Sequence, residues 1–158
     1  MTTQGCHCEE QGDEAISGRL AAPVVIVHSL GNAVSTLTVA ARVGCTVVLL
    51  SAPGAGSYGG PGWFGALIAA AREAVPEARF FALLDCGDDV GAALAAIRSE
   101  IEGVVFTGRA DVAGRLADIA RQHGVRLETD RWATALDLGD DFFASGDSVE
   151  RRCAEFLR

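Results

Sequence analysis

Residues 79–108, RFFALLDCGDDVGAALAAIRSEIEGVVFTG, contain the pattern that decides the fold. The apolar run Arg79–Leu84 has the length and composition of a strand that is buried on both faces. Asp88 or Asp89 can cap the helix that follows, and a second apolar run covers Gly103–Phe106. The inner face of that helix carries Val90, Leu94 and Ile97. Strand, helix and strand at this spacing predict a βαβ unit with parallel strands.

The same alternation extends in both directions along the chain. Further strands are predicted at Val24–Val27, Thr46–Leu50 and Val125–Glu128, with a strand or edge segment at Ala133–Leu138. Helices are predicted at Asn32–Val43, from Pro61 to Val75, from a cap at Asp111 to Gly124, and at Ser148–Leu157. We therefore predict one three-layer α/β domain over residues 23–158. Its parallel sheet has about five strands, arranged either as in flavodoxin or as half of a TIM barrel.

Composition excludes several classes of function. The chain has 158 residues, a formal net charge of −8, and thirteen basic residues that are all Arg. Without Lys, neither Schiff-base chemistry, nor anchoring of pyridoxal phosphate, nor a P-loop is available. A genome rich in G and C explains the bias more simply, but the chemical exclusion holds either way. Acidity with scattered arginines also argues against a nucleic-acid partner.

The N-terminal sequence predicts a cytoplasmic protein. Residues 1–22 form a polar stretch without the apolar core of a signal peptide, and we expect them to be a mobile tail. No apolar run is long enough for a membrane span, and five cysteines form no disulfide framework. Cys6-His7-Cys8 is spaced too tightly for a tetrahedral zinc site, so no metal is expected there.

Candidate functional residues follow the predicted strands, because the C-terminal ends of parallel strands share one edge of the sheet. Asp85 is a candidate general acid or base, or else a cap of the next turn. Cys86 is a candidate nucleophile or a buried thiol, and His28 a candidate base or a structural histidine. Thr107, Gly108 and Arg109 are a candidate phosphate clamp at a helix start, or else a solvated turn.

A glycine-rich loop over residues 51–62 is the most unusual segment. Candidate ligand contacts in it are Ser51, Gly54, Gly56, Tyr58 and Gly59. The three glycines match G-x-G-x-x-G, which makes nucleotide binding an alternative with Asp85 as the ribose-binding acid. The motif follows the second predicted strand rather than the first, however, and a loop without a fixed ligand is the other interpretation.

Three strings carry a resemblance to a known family: Cys45-Thr-Val-Val-Leu-Leu-Ser-Ala-Pro-Gly-Ala55 with Tyr58, Ala82-Leu-Leu-Asp-Cys-Gly87, and Val104-Val-Phe-Thr-Gly108. Over Val24 to Gly124 the chain resembles the first half of class II fructose-bisphosphate aldolases, which are metal-dependent TIM barrels. The chain also resembles small bacterial proteins that share Ser51-Ala-Pro-Gly-Ala55 and Leu84-Asp-Cys-Gly87 and have no assigned activity. The aldolase resemblance implies that Asp85 matches the proton-transferring Asp and Cys86 a metal-binding His. It also matches Thr107-Gly108 to the family's Asp-Gly.

The chain departs from that family in two ways. Cys86 replaces a metal ligand, and 158 residues are too few for eight βα units. We therefore expect no active class II aldolase, no metal and no pyridoxal phosphate, with other cofactors unknown. Two functions stay open: binding of a phosphorylated or carboxylated metabolite with lyase-like acid–base chemistry, or a non-catalytic binding or scaffold domain. An open half barrel also predicts a homodimer.

Overall fold

The computed structural model describes residues 21–158, which form a six-stranded parallel sheet with helices packed on it. The strands are β1 (Val24–Val27), β2 (Val47–Ser51), β3 (Phe80–Asp85), β4 (Gly103–Val105), β5 (Arg126–Glu128) and β6 (Leu136–Asp137). The helices are α1 (Leu30–Val43), α2 (Ala55–Tyr58), α3 (Gly60–Ala74), α4 (Val90–Arg98), α5 (Ala110–Gln122) and α6 (Gly146–Phe156), and Gly139–Asp141 form one 3-10 turn. The predicted α/β class with a parallel sheet is confirmed.

The order of the strands is β5-β4-β3-β2-β1-β6. From β1 to β5, each strand lies beside the preceding one, as in a TIM barrel. A flavodoxin-like sheet instead reverses direction after its first strand. Val25 pairs with Leu49 of β2 on one side and with Leu136 of β6 on the other. The sheet therefore follows the half-barrel alternative, with a sixth strand added on the opposite side of β1.

The two faces of the sheet are covered differently. Right-handed crossovers that advance in one direction leave their helices on one face, and buried residues of α1, α3, α4, α5 and α6 accordingly share one cluster with Val25 and Leu49. On the other face, a smaller cluster around Leu83 packs against Trp132 and Ala135. The third layer is therefore the connection from β5 to β6, residues 129–135, which crosses the sheet without a helix.

Capping side chains decide where two helices begin. The Ser29 side chain accepts a backbone N–H in the first turn of α1, and the Asp89 side chain does the same for α4. The prediction that Asp111 caps α5 is wrong, because the N-cap is Arg109 and Asp111 lies inside the first turn. There its carboxylate interacts favourably with the helix dipole instead.

Residues 1–20 lie outside the described part of the chain, and with them Cys6-His7-Cys8 and most of the predicted tail. Ala22 packs against the smaller cluster. Within residues 21–158, no helix is both long enough and apolar enough to cross a membrane.

Candidate functional site

Asp85, the last residue of β3, joins three segments at the C-terminal edge of the sheet. Its side chain is only 1% exposed. The carboxylate accepts the N–H of Gly54 at 2.9 Å and that of Gly87 at 2.8 Å. It also accepts hydrogen bonds from Nε and Nη2 of Arg131 at 2.9 and 3.1 Å. A buried carboxylate is tolerated when it is paired and hydrogen-bonded in this way, so Asp85 ties together the glycine loop, the β3–α4 turn and residues 129–135.

Ser51, the last residue of β2, supports the same junction from the neighbouring strand. Its buried hydroxyl accepts the backbone N–H of Asp85 at 2.8 Å and donates to the carbonyl of Ala52 at 3.2 Å. Both functions of the hydroxyl are therefore used within the protein. Ser51, predicted as a ligand contact, lies at the predicted edge but holds β3 rather than facing an opening.

The glycine loop is partly helical, since α2 lies within it. Gly54 has a left-handed φ of 71°, which favours glycine, and its N–H points to Asp85. A Cβ on Gly56 would lie 2.4 Å from Sγ of Cys86, so this glycine permits close packing of α2 on β3. Gly59 packs similarly against Trp63, and Tyr58 is 70% exposed. These contacts hold the loop against the sheet and give no support to nucleotide binding.

Cys86 is a packing residue in this structure. It is 1% exposed and belongs to the large core cluster. Burial, together with the smaller effect of the negative charges of Asp85 and Asp89, raises the pKa of the Cys86 thiol to about 12. A thiol that stays protonated at neutral pH is a poor nucleophile and a poor metal ligand.

His28 lies apart from Asp85 and pairs with a residue that the sequence did not single out. Its Nε2 lies 2.7 Å from Oδ1 of Asp137, at the end of β6. The same oxygen accepts the N–H of Gly139 at 2.8 Å. Because β1 and β3 are two strand spacings apart, about 10 Å separate the His28 and Asp85 positions. The only available signal for Asp137 was its place at the end of the segment Ala133–Leu138.

The metal centre of the aldolase family does not fit these residues. His28 is engaged by Asp137, and Cys86 is buried on the helix face of the sheet. No group of three or more His, Cys, Asp or Glu side chains within residues 21–158 is placed to hold a metal ion.

Thr107, Gly108 and Arg109 line a shallow depression of about 380 Å³ where β4 passes into α5. The remaining lining residues are Asp88, Val90, Phe106 and Val112. A Cβ on Gly108 would lie 2.4 Å from the Phe106 ring, so only glycine lets the backbone lie flat on this ring. The Thr107 N–H donates to the carbonyl of Gly87 at 2.7 Å, which links the depression to the turn that Asp85 holds.

Two arginines at this edge of the sheet form ion pairs with carboxylates. Arg109 is exposed and forms a bidentate pair with Asp111 at 3.0 and 2.9 Å. Hydrogen bonds to Asp85 raise the pKa of the Arg131 guanidinium, and the nearby charge of Asp88 adds to the rise. The ion pair between Arg131 and Asp85 spans 46 residues and was not predicted from the sequence.

The structure thus separates the predicted site residues into three places. Asp85, Ser51, Gly54, Gly56 and Cys86 form the packed junction at β2 and β3, and Tyr58 and Gly59 lie on its outer side. Thr107, Gly108 and Arg109 line the depression beside β4. His28 lies at β1 with Asp137. A scan against protein-family models finds no match to this chain, and a search of the curated proteins finds no relative.

Proposed function

We propose that this protein is a binding domain for a small phosphorylated or carboxylated molecule, which occupies the depression at Thr107–Arg109. The proposal rests on the position and the lining of this depression. The depression lies at the C-terminal edge of the sheet and is lined by an exposed guanidinium and by the first turn of a 13-residue helix. Backbone N–H groups at such a helix start and an Arg side chain together favour an anion.

The topology supports the same location. In open α/β sheets, ligands bind outside the C-terminal ends of the strands, where neighbouring connections leave on opposite faces. The connection after β4 leads to α5 on the helix face, whereas the connection after β5 crosses the other face with Trp132. The divergence occurs between β4 and β5, directly beside Thr107.

Asp85 acts in this proposal as a positioning residue. Four hydrogen bonds already reach its two carboxylate oxygens, two of them from Arg131. A general base needs an oxygen within reach of the substrate proton, and these oxygens face backbone and guanidinium donors instead. Asp85 therefore orders the turn at Gly87, to which the Thr107 N–H is bound.

Backbone amide chemical shifts test the proposal during titration with inorganic phosphate or malonate at constant ionic strength. We expect shifts at residues 107–111 and about tenfold weaker binding in Arg109→Gln, the loss of one charge-assisted contact. Arg121→Gln is the matched control, because Arg121 is also exposed, lies on α5 and pairs with Asp118. Shifts spread evenly over the surface, or equal effects of both variants, refute the proposal.

A second candidate function, lyase-like acid–base chemistry, is favoured by the pair His28–Asp137. A carboxylate at 2.7 Å orients the imidazole, and the Gly139 N–H orients the carboxylate. In the bond-forming direction this chemistry begins with removal of a proton next to a carbonyl. The test is therefore exchange of that proton in heavy water with pyruvate as probe. Exchange that disappears in His28→Gln and Asp137→Asn but persists in Cys86→Ser supports this candidate. If no exchange occurs, the result favours the alternative of a non-catalytic binding or scaffold domain.

A further inference from the structure

The depression beside β4 carries charged groups of both signs. Arg109 lies on its rim, and the carboxylate of Asp88 lines the same opening. Asp88 is exposed. Between the two charged groups lie the apolar side chains of Val90, Phe106 and Val112. An occupant of this opening therefore meets a cation, an apolar surface and an anion.

The two neighbouring arginines are bound to carboxylates other than Asp88. Arg109 is paired with Asp111, and Arg131 is held by Asp85 at hydrogen-bond distance. The charge of Asp88 also acts on Arg131. A ligand with an acid group alone therefore brings a second negative charge towards Asp88, and like charges at close range repel each other.

A ligand that also carries an ammonium group removes this conflict. Its acid group can bind at Arg109 and the start of α5, while its ammonium group donates to Asp88. A short hydrocarbon chain between the two groups then covers Val90 and Val112. The opening of about 380 Å³ is of the size that small-molecule sites have in proteins.

We propose that the depression binds a small zwitterion, in which a carboxylate or phosphate and an ammonium group are joined by a short apolar chain. The inference rests on the proposed anion-binding function and adds the class of ligand. Asp88 is its specificity-determining residue, because it distinguishes a zwitterion from the simple acid that lacks the ammonium group.

Three probes, each with three carbon atoms, test the inference: β-alanine, propanoate and propylamine. Each is titrated against the full chain with amide chemical shifts as readout. We expect β-alanine to bind about fivefold more tightly than propanoate, the effect of one partly exposed ion pair. Asp88→Asn should abolish this difference and leave propanoate binding intact or improved. Asp118→Asn, an exposed carboxylate elsewhere on α5, should leave the difference unchanged.

The possible outcomes separate the inference from the function on which it rests. Equal binding of β-alanine and propanoate overturns the zwitterion proposal but leaves the anion site standing. A preference for β-alanine that survives Asp88→Asn also overturns it. If propylamine binds as tightly as β-alanine and Arg109→Gln has no effect, both proposals fail. If no probe shifts residues 107–111, both fail as well.

Discussion

Asp85→Asn is the most informative single change, because it removes one charge from a buried junction and preserves its shape. The Asn carbonyl oxygen can still accept the N–H groups of Gly54 and Gly87. Its NH₂ group, however, then faces the guanidinium of Arg131, and two donors meet where an ion pair existed.

The expected loss of stability follows from the burial of the two partners. Breaking a fully buried ion pair costs about 3–5 kcal/mol. Asp85 is buried, but the Arg131 side chain is 48% exposed and can regain water. We therefore expect Asp85→Asn to lower the free energy of unfolding by about 2–3 kcal/mol, which for a chain of this size lowers Tm by about 4–12 °C.

Urea unfolding followed by tryptophan fluorescence measures this loss, and an unchanged m value shows that the unfolding reaction is the same. Asp111→Asn is the control, because its pair with Arg109 is exposed and is expected to contribute less than about 1 kcal/mol. A double-mutant cycle with Arg131→Gln subtracts the other interactions of Arg131. Two results would refute the stabilising role of the Asp85–Arg131 pair. One is a coupling free energy near zero, and the other is a loss of stability in Asp85→Asn no larger than that in Asp111→Asn.

Three further predictions concern packing and capping. Gly56→Ala should destabilise the fold by about 1–3 kcal/mol in urea unfolding, because the added Cβ overlaps Sγ of Cys86. Gly114→Ala is the control and should instead be stabilising, because Gly114 lies on α5 with open space around it. Cys86→Ala should make the free energy of unfolding fall less steeply above pH 9.0. The thiol ionises near pH 9.0 in the unfolded chain, whereas its pKa in the folded protein is about 12, so ionisation favours unfolding. Parallel pH profiles of the two proteins would contradict this. Ser29→Ala should cost about 1 kcal/mol through loss of the α1 cap, as urea titration can check.

The periodic part of the fold was predictable from the sequence because its signals are local. The five strands β1 to β5 lie within about a residue of the predicted runs, since unbroken β-branched and apolar residues are typical of strands buried on both faces. The start of α5 was predicted less well, because an Asp is favoured both as an N-cap and as a residue of the first helical turn. Only backbone geometry decides between the two positions.

The candidate site was predictable only as far as the rule of strand ends reaches. That rule placed His28, Asp85 and Thr107 on one edge of the sheet, as observed. It does not say which of them are neighbours, because distance along the edge depends on strand order. The partner of Asp85 lies 46 residues away and that of His28 lies 109 residues away. No local pattern contains such pairings.

By itself, the sequence determined the βα repeat, the parallel sheet and the sheet edge at which the polar side chains lie. It also determined that no lysine amine is available as a reacting group. Local propensity and hydrophobic period are sufficient for these features. The tertiary structure decided that β6 returns beside β1 and that residues 129–135 cross the open face of the sheet. Those long-range contacts bring Arg131 to Asp85 and Asp137 to His28. Each pairing requires the closure of a long loop, which packing of the whole sheet stabilises and no short stretch of sequence encodes.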